Sequence, residues 1–542
     1  MSESFDYIII GAGSAGCLLA NRIAMQSDNT VCVLEAGPKD NNPFIHIPAG
    51  FVKTIRDQKI NWLYTCEPGA WTSGRRVSQP RGKVLGGSGS INGHIFNRGQ
   101  RSDFDEWARR GNNGWGYADV LPYFKRFENF HGACDPDFRG QHGEFDVTNP
   151  EWRHPLLSAF IKSANALGIH NNSDYNGQDQ NGVAYAQRSI CRGVRASPAK
   201  AFLRPAMRRK NLRVETNALV ETIDFRDRKA TGVSYLKDRE RFSINARREV
   251  ILCGGVFNSP QLLQLSGIGS AHFLNQFGIS VVHDLPGVGE NLRDHCYSPV
   301  SARVKNVRSL NERSRGLSLL GEIAYYLLTR KGLLSMQPSM VYISTRSDPS
   351  LADNDIQISF GPASYDASRD MQLNKYPGVT CAPWQHVPRS KGYVRIASRS
   401  IHDAPLIQPN YLDDEYDRKI LLAACRLARK LLRTNPFAQF FDYEDNPGDQ
   451  VETDDEWLDY IKQTCGTTYH PMGSCRMGPK SETDSVVDSQ LRVHGIENLR
   501  VVDASIMPTM TSGNTNAATL MIAEKGADMI LGRSPLPAAS LD

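Results

Sequence analysis

A glycine turn near residue 11 restricts this chain more than any other feature. Residues Phe5 to Ile10 (FDYIII) form a short apolar run that stops at Gly11-Ala12-Gly13-Ser14-Ala15-Gly16. A stretch suited to a helix, Ser14 to Met25, follows, then a second apolar run, Val31 to Leu34, closed by Glu35-Ala36-Gly37. Strand, glycine turn, helix, strand and acid in this order predict a parallel βαβ unit that binds a dinucleotide. Gly11 permits the tight turn, Gly13 leaves room for a pyrophosphate beside the backbone, and Gly16 lets helix and strand pack closely. The helix N-terminus offers unpaired N–H groups and a positive dipole end to the phosphates. Glu35 stands where an acid accepts from both hydroxyls of an unphosphorylated ribose, which favours FAD or NAD over NADP. The turn alone does not choose between them.

At roughly 100–200 residues per domain, 542 residues predict two or more cores or one large composite core. A hydrophobic fraction of 40% with 22% charged residues excludes intrinsic disorder, collagen-like repeats and a coiled coil. The net charge of +5 is too dilute for a nucleic-acid binder, and its densest block, Arg208-Arg209-Lys210, reads as a solvated loop. The 11 cysteines never form a CxxC pair, so neither a disulfide framework nor a metal site is expected. Asp6 interrupts any basic leader, Tyr7 to Ala20 is too short to span a bilayer, and Ala504 to Ala523 is too polar. These readings predict a soluble, cytoplasmic α/β protein without an integral membrane segment. Peripheral membrane contact and oligomeric state stay open.

Further motifs narrow the cofactor. Pro80-Arg81-Gly82-Lys83-Val84-Leu85-Gly86-Gly87-Ser88-Gly89-Ser90-Ile91-Asn92-Gly93 predicts a backbone cradle where side chains would obstruct a phosphate or a ring. Arg248-Glu249-Val250-Ile251-Leu252-Cys253-Gly254-Gly255 reads as a strand returning to the first sheet. Ser259-Pro260 is expected to open a helix, with proline in its first turn, running to Ser266-Gly267-Ile268-Gly269. Together with GVFNSPQLLQLSGIG (Gly255 to Gly269), LPGVGENLRDH (Leu285 to His295), His470-Pro471-Met472-Gly473-Ser474-Cys475 and VVDASIMPTMTSGNTNAATLMIAEK, these segments resemble the glucose-methanol-choline (GMC) flavoenzymes. The resemblance runs from residue 5 to residue 525, essentially the whole chain.

The resemblance implies an α/β fold: a Rossmann-like FAD-binding domain interleaved with a substrate domain of antiparallel sheet plus helices. The coarse division assigns 1–110, 190–300 and 466–542 to FAD, and 111–189 and 301–465 to the substrate side. Leu319 to Leu334, apolar at helical spacing with interspersed charges, is expected to be a helix of that second domain. FAD contacts are implied for Gly11, Gly13, Ser14, Ala15, Gly16, Glu35, Ala36, Trp62, Arg81, Val84, Gly86, Gly87, Ser90, Asn92, Gly93, His94, Ile95, Val220, Asp503, Ala504, Asn514 and Thr515. Some relatives link flavin to a histidine in the glycine loop. Here Ile91 holds that position and His94 is out of register, so the FAD is expected to be noncovalent.

The family oxidises alcohols by hydride transfer from the carbinol carbon to flavin N5, which needs a base for the hydroxyl proton. His470 matches that base, and imidazole titrates near neutrality. Asn514 matches the second catalytic position, where it would hold the substrate oxygen. It also precedes the helical stretch Ala517 to Leu531, where an N-cap is the ordinary role. Met336, Met340, Tyr342, Phe360 and Trp384 fall in the segment expected to line the substrate cavity, or else are plain core. No cationic cage is recognisable among acids such as Glu312, Glu322, Asp348, Asp353 and Asp355. A neutral primary alcohol is therefore expected, oxidised to the aldehyde, with electrons passed to an external acceptor (a quinone or carrier, or oxygen). Choline, or a non-redox reaction such as that of the hydroxynitrile lyases on this fold, is the alternative.

Overall fold

The computed structural model describes residues 3–366 and 372–541. The apolar runs at the start do not alternate because both faces of their strands are covered. β1 (Glu3–Ile10) is buried from Phe5 onward and β2 (Val31–Glu35) is buried throughout, with α1 (Ser14–Ala24) between them. β3 (Leu212–Thr216) pairs with β2 in parallel. β4 (Leu219–Arg226), β5 (Lys229–Lys237) and β6 (Glu240–Leu252) form an antiparallel meander whose last strand lies parallel to β1. The resulting order is β3-β2-β1-β6-β5-β4. After α2 (Gly255–Leu265) and a long excursion, β7 (Leu499–Val501) returns to pair with β6, and α3 (Thr515–Ile530) follows.

Register fixes what this sheet presents. Ile10 pairs with Leu34 and with Leu252, and Leu252 pairs with Val501. Four strands thus end at one level, which places Gly11, Glu35, Cys253 and Asp503 along one carboxyl edge, the usual ligand edge of such sheets.

The excursion and one earlier strand build a second sheet of eight strands. Its main path runs Phe441–Asn446, Val300–Val304, Gly378–Gln385, Ile356–Gly361, Val341–Thr345 and Gly182–Tyr185, all antiparallel. Two short strands hook onto it: Tyr297 pairs with Trp384, and Cys296 pairs with Thr467. That pairing draws the His295 turn, Trp384 and the 467–470 segment together. One continuous apolar core joins the two sheets.

Two expected helix boundaries are corrected. α2 begins at Gly255, so Pro260 lies inside it rather than in its first turn. A proline there cannot donate to the carbonyl four residues back. That carbonyl, Val256 O, instead accepts from Ser474 Oγ at 2.5 Å, which explains the tolerance. The helix expected over 319–334 spans Gly316–Thr329. It stops where Arg330 adopts a left-handed φ of 59°, and Leu333–Ser335 forms a separate 3₁₀ turn.

Candidate active site

The carboxyl edge of the first sheet and one face of the second enclose a cavity of about 1970 Å³. A pocket for one small molecule measures roughly 300–1,000 Å³, so there is room for a dinucleotide and a second ligand. Ile10, Leu34, Leu252 and Cys253 close one end. Ser359, Gly361, Thr380, Ala382 and Trp384, alternate residues of two neighbouring strands, line the other.

Most residues implied by the sequence meet at this cavity. Gly11, Gly13, Ser14, Ala15, Glu35, Ala36, Trp62, Arg81, Gly87, Asn92, Gly93, His94, Ile95, Val220, Asp503, Ala504, Asn514, Thr515 and His470 all line it. Gly16, Val84, Gly86 and Ser90 do not, and each has a packing reason. A Cβ on Gly16 would come 1.9 Å from Gly11 O, so this glycine seats α1 on the turn. Val84 packs with Ile45, Ile60 and Ile91. The Gly86 amide donates to Ala12 O at 2.7 Å, and Ser90 Oγ donates to Leu85 O at 2.7 Å; both bonds shape the loop from behind. Of the substrate-side candidates, Met336 and Trp384 line the cavity, whereas Met340, Tyr342 and Phe360 are buried core.

The residues fit a dinucleotide. Gly11 must be glycine for the protein's own sake, with φ +98° and Cys253 O 2.5 Å from a would-be Cβ. Gly13 differs: a Cβ there would meet nothing closer than 3.9 Å, so the space it leaves faces the cavity. α1 and α3 both begin at the cavity wall with no side-chain cap on their first N–H groups, a ready site for negatively charged groups. Ser14 Oγ donates to Asn516 Oδ1 at 2.7 Å and ties the two helix starts together. Glu35 takes the amides of Ala12 (2.8 Å) and Gly37 (2.9 Å), one on each oxygen. A carboxylate has about four acceptor sites, so capacity for ribose hydroxyls remains. Burial pushes its pKa up to about 7. Asp503 is committed to structure, accepting from Gly255 N at 2.9 Å, Ser259 Oγ at 2.6 Å and Ser505 N at 2.8 Å.

At the other end of the cavity, His470 Nε2 lies 2.7 Å from Asn514 Nδ2. Asn514 occupies the N-cap position of α3 but makes no side-chain capping bond there. Its amide is turned to the imidazole instead, and its Oδ1 is buried without a partner. The other ring nitrogen, Nδ1, lies 2.7 Å from Thr468 Oγ1 and 3.0 Å from His295 Nδ1.

This network determines which nitrogen of His470 is protonated. His295 Nε2 lies 2.6 Å from the carbonyl oxygen of His386. A carbonyl only accepts, so His295 carries its proton on Nε2. Burial lowers the His295 pKa to about 4, so its Nδ1 is a bare acceptor at neutral pH. Thr468 Oγ1 donates to His295 O at 3.3 Å and is likewise free to accept. His470 Nδ1–H therefore donates to both, and the unprotonated Nε2 accepts from the Asn514 amide at the cavity wall. Burial, with His295 and Arg81 acting in the same direction, holds the His470 pKa well below the usual imidazole range. The loop is fixed from behind by Asp294, which accepts from His470 N at 2.9 Å and from Thr467 Oγ1 at 2.5 Å. Sequence reasoning missed both Asp294 and His295; their only signal was adjacency at the end of the LPGVGENLRDH segment.

Two family models described as GMC oxidoreductase match this chain, one over residues 5–297 and one over residues 388–523. An oxygen-dependent choline dehydrogenase of Staphylococcus aureus (strain MSSA476) is 40% identical, covering 100% of this chain and 96% of that protein. The corresponding Staphylococcus saprophyticus protein is 39% identical over 100% and 97%. Among solved structures, pyridoxine 4-oxidase from Mesorbium loti superposes with a TM-score of 0.89 at 29% identity, covering 98% of this chain and 100% of that one. A formate oxidase, at 24% identity and a TM-score of 0.91 over 98% of each chain, shares the fold. With sequence matches along its full length and the glycine turn, cradle and His–Asn pair gathered at one cavity, the chain belongs to the GMC oxidoreductase family.

Proposed function

We propose that the cavity holds FAD without a covalent bond and that the protein oxidises a neutral primary alcohol to its aldehyde, with His470 as general base. The activity is that of an FAD-dependent oxidoreductase on CH–OH donors. The observation that carries the assignment of His470 is its Nε2, unprotonated and 2.7 Å from the Asn514 amide at the cavity wall. FAD, when bound along the glycine turn, Glu35 and the 80–93 cradle, supplies the acceptor for the carbinol hydride. The residues supply the rest. His470 Nε2 takes the hydroxyl proton while its Nδ1–H stays fixed by Thr468 and His295. Asn514 donates to the substrate oxygen as negative charge grows there. The N-terminus of α3 adds a positive dipole end at the same wall.

Neutrality of the substrate is supported by the lining. Among the described residues its acids are Glu35 and Asp503, both engaged by backbone amides at the cofactor end. Choline is the second reading, favoured by the rings of Trp384, Tyr297 and Tyr365 in the lining, which could face a quaternary ammonium. We further propose two interleaved domains with the boundaries expected from sequence. A cytoplasmic location is proposed as well, supported by 11 cysteines that are all free.

Anaerobic mixing of the holoenzyme with a panel of alcohols, choline included, tests the reading through flavin absorbance. Bleaching by neutral primary alcohols faster than by choline is expected. Faster bleaching by choline would transfer the assignment to the second reading. Aldehyde and cyanide release from a cyanohydrin with the flavin still oxidised would make the protein a lyase. Repeating the reaction with oxygen or a soluble quinone identifies the acceptor class.

A further inference from the structure

The helix Gly316–Thr329 breaks the rule that an apolar helix is buried. Leu317, Leu320, Ala324, Leu327 and Leu328 follow i, i+3, i+7, i+10, i+11 spacing and so share one face; all are exposed, Leu317 and Leu328 to 86%. Glu322 is the one charge within the helix, and it is occupied by Arg313 Nε at 2.9 Å and Leu333 N at 3.0 Å. The opposite face is anchored: Tyr326 OH donates to Gly193 O at 3.0 Å, while Leu319 and Ile323 line the active-site cavity. Exposed Phe44 and Val52 line the same cavity, so its mouth is rimmed by apolar side chains on two sides.

Charge identifies what covers this face. Arg315 stands at one end of the helix, Arg330 and Lys331 at the other, and exposed Lys53 lines the mouth. An apolar stripe with cations at both ends matches a surface of acyl chains beneath anionic headgroups. A second copy fits less well, because antiparallel pairing across a two-fold axis would set Arg315 against a second Arg330 and Lys331. We propose that the outer face of the 316–329 helix docks the protein on an anionic phospholipid bilayer, with the cavity mouth toward the lipid.

Co-sedimentation of the holoenzyme with vesicles of phosphatidylcholine and phosphatidylglycerol in equal parts tests this. Leu317 and Leu328 touch neither the core nor the cavity lining, so the double variant Leu317→Gln/Leu328→Gln keeps the fold and the dye-linked alcohol oxidation. The expected result is binding by the parent protein, weakened about tenfold or more in that variant and also in Arg330→Gln/Lys331→Gln. Absence of parent binding, or unchanged binding by the leucine variant, overturns the proposal. So does a dimer in solution, seen by light scattering, that the leucine variant dissociates, since a second copy would then cover the face.

Discussion

A backbone carbonyl accepts hydrogen bonds and never donates them, so His386 O, 2.6 Å from His295 Nε2, constrains two imidazoles in series. In the proposed mechanism His295 acts on the reaction through His470, as a positioning residue. With His295→Leu, Thr468 alone would hold Nδ1–H of His470, and its hydroxyl could rotate to donate instead and strip Nε2 of its lone pair. We expect kcat to fall about tenfold with flavin content unchanged, measured by anaerobic flavin reduction. The pH profile follows from the lowered His470 pKa. A base whose pKa is depressed stays unprotonated as pH falls, so kcat/KM should remain level from neutral pH down through 6.5. An acid limb at or above 6.5 would contradict this. None of this tautomer chain was legible in the sequence, because the residue at 386 enters through its backbone and not its side-chain type.

At the scale of elements, the informative case is α2. Proline usually marks a first turn, and Pro260 does not, because Ser474 from a distant segment satisfies the carbonyl that the missing N–H leaves free. Removing that hydroxyl leaves a buried acceptor unpaired, at a cost of about 1–3 kcal/mol. Ser474→Ala should therefore lower the apparent Tm with little effect on KM, measured by thermal unfolding of the holoenzyme. The strands around the glycine turn were legible because local patterning and tertiary burial agree there. The 316–329 helix was half legible: its apolar spacing predicts a helix, but which face meets solvent is decided by neighbours such as Gly193 that no periodicity reports. The 80–93 cradle was legible as a loop, yet Gly86 and Ser90 were indistinguishable from their cavity-facing neighbours until the bonds to Ala12 and Leu85 were seen.

For the whole molecule, several buried titratable groups set the pH range of stability. Burial pushes His386 down to about 3 and His295 down to about 4. Their folded values lie below the unfolded 6.5, so the unfolded chain takes up protons first as pH falls. The stability they contribute is complete above 6.5 and is lost on the way toward 4 and 3. Glu35 and Asp103, both pushed up to about 7 by burial, work in the opposite direction over an overlapping window. A difference measurement separates them. Between pH 7 and pH 4, His386→Gln should lose about 3 kcal/mol less than the parent protein in denaturant unfolding. Equal losses would show that His386 is not held neutral.

The molecular architecture brings residues 11, 35, 470 and 514 and part of the 80–93 cradle to one cavity, and sequence motifs located them because each is tied to backbone geometry or to chemistry. The far end of the cavity, by contrast, is lined by scattered side chains such as Tyr297, Thr380 and Trp384, which become neighbours only through strand register. The central claim is that His470 removes the hydroxyl proton as the alcohol is oxidised. Stopped-flow anaerobic flavin reduction by a primary alcohol, in the parent protein and in His470→Ala, tests it directly. The account predicts that the variant retains FAD and that its reduction rate falls about 10²–10⁴-fold. Reduction at a rate close to that of the parent protein would contradict it.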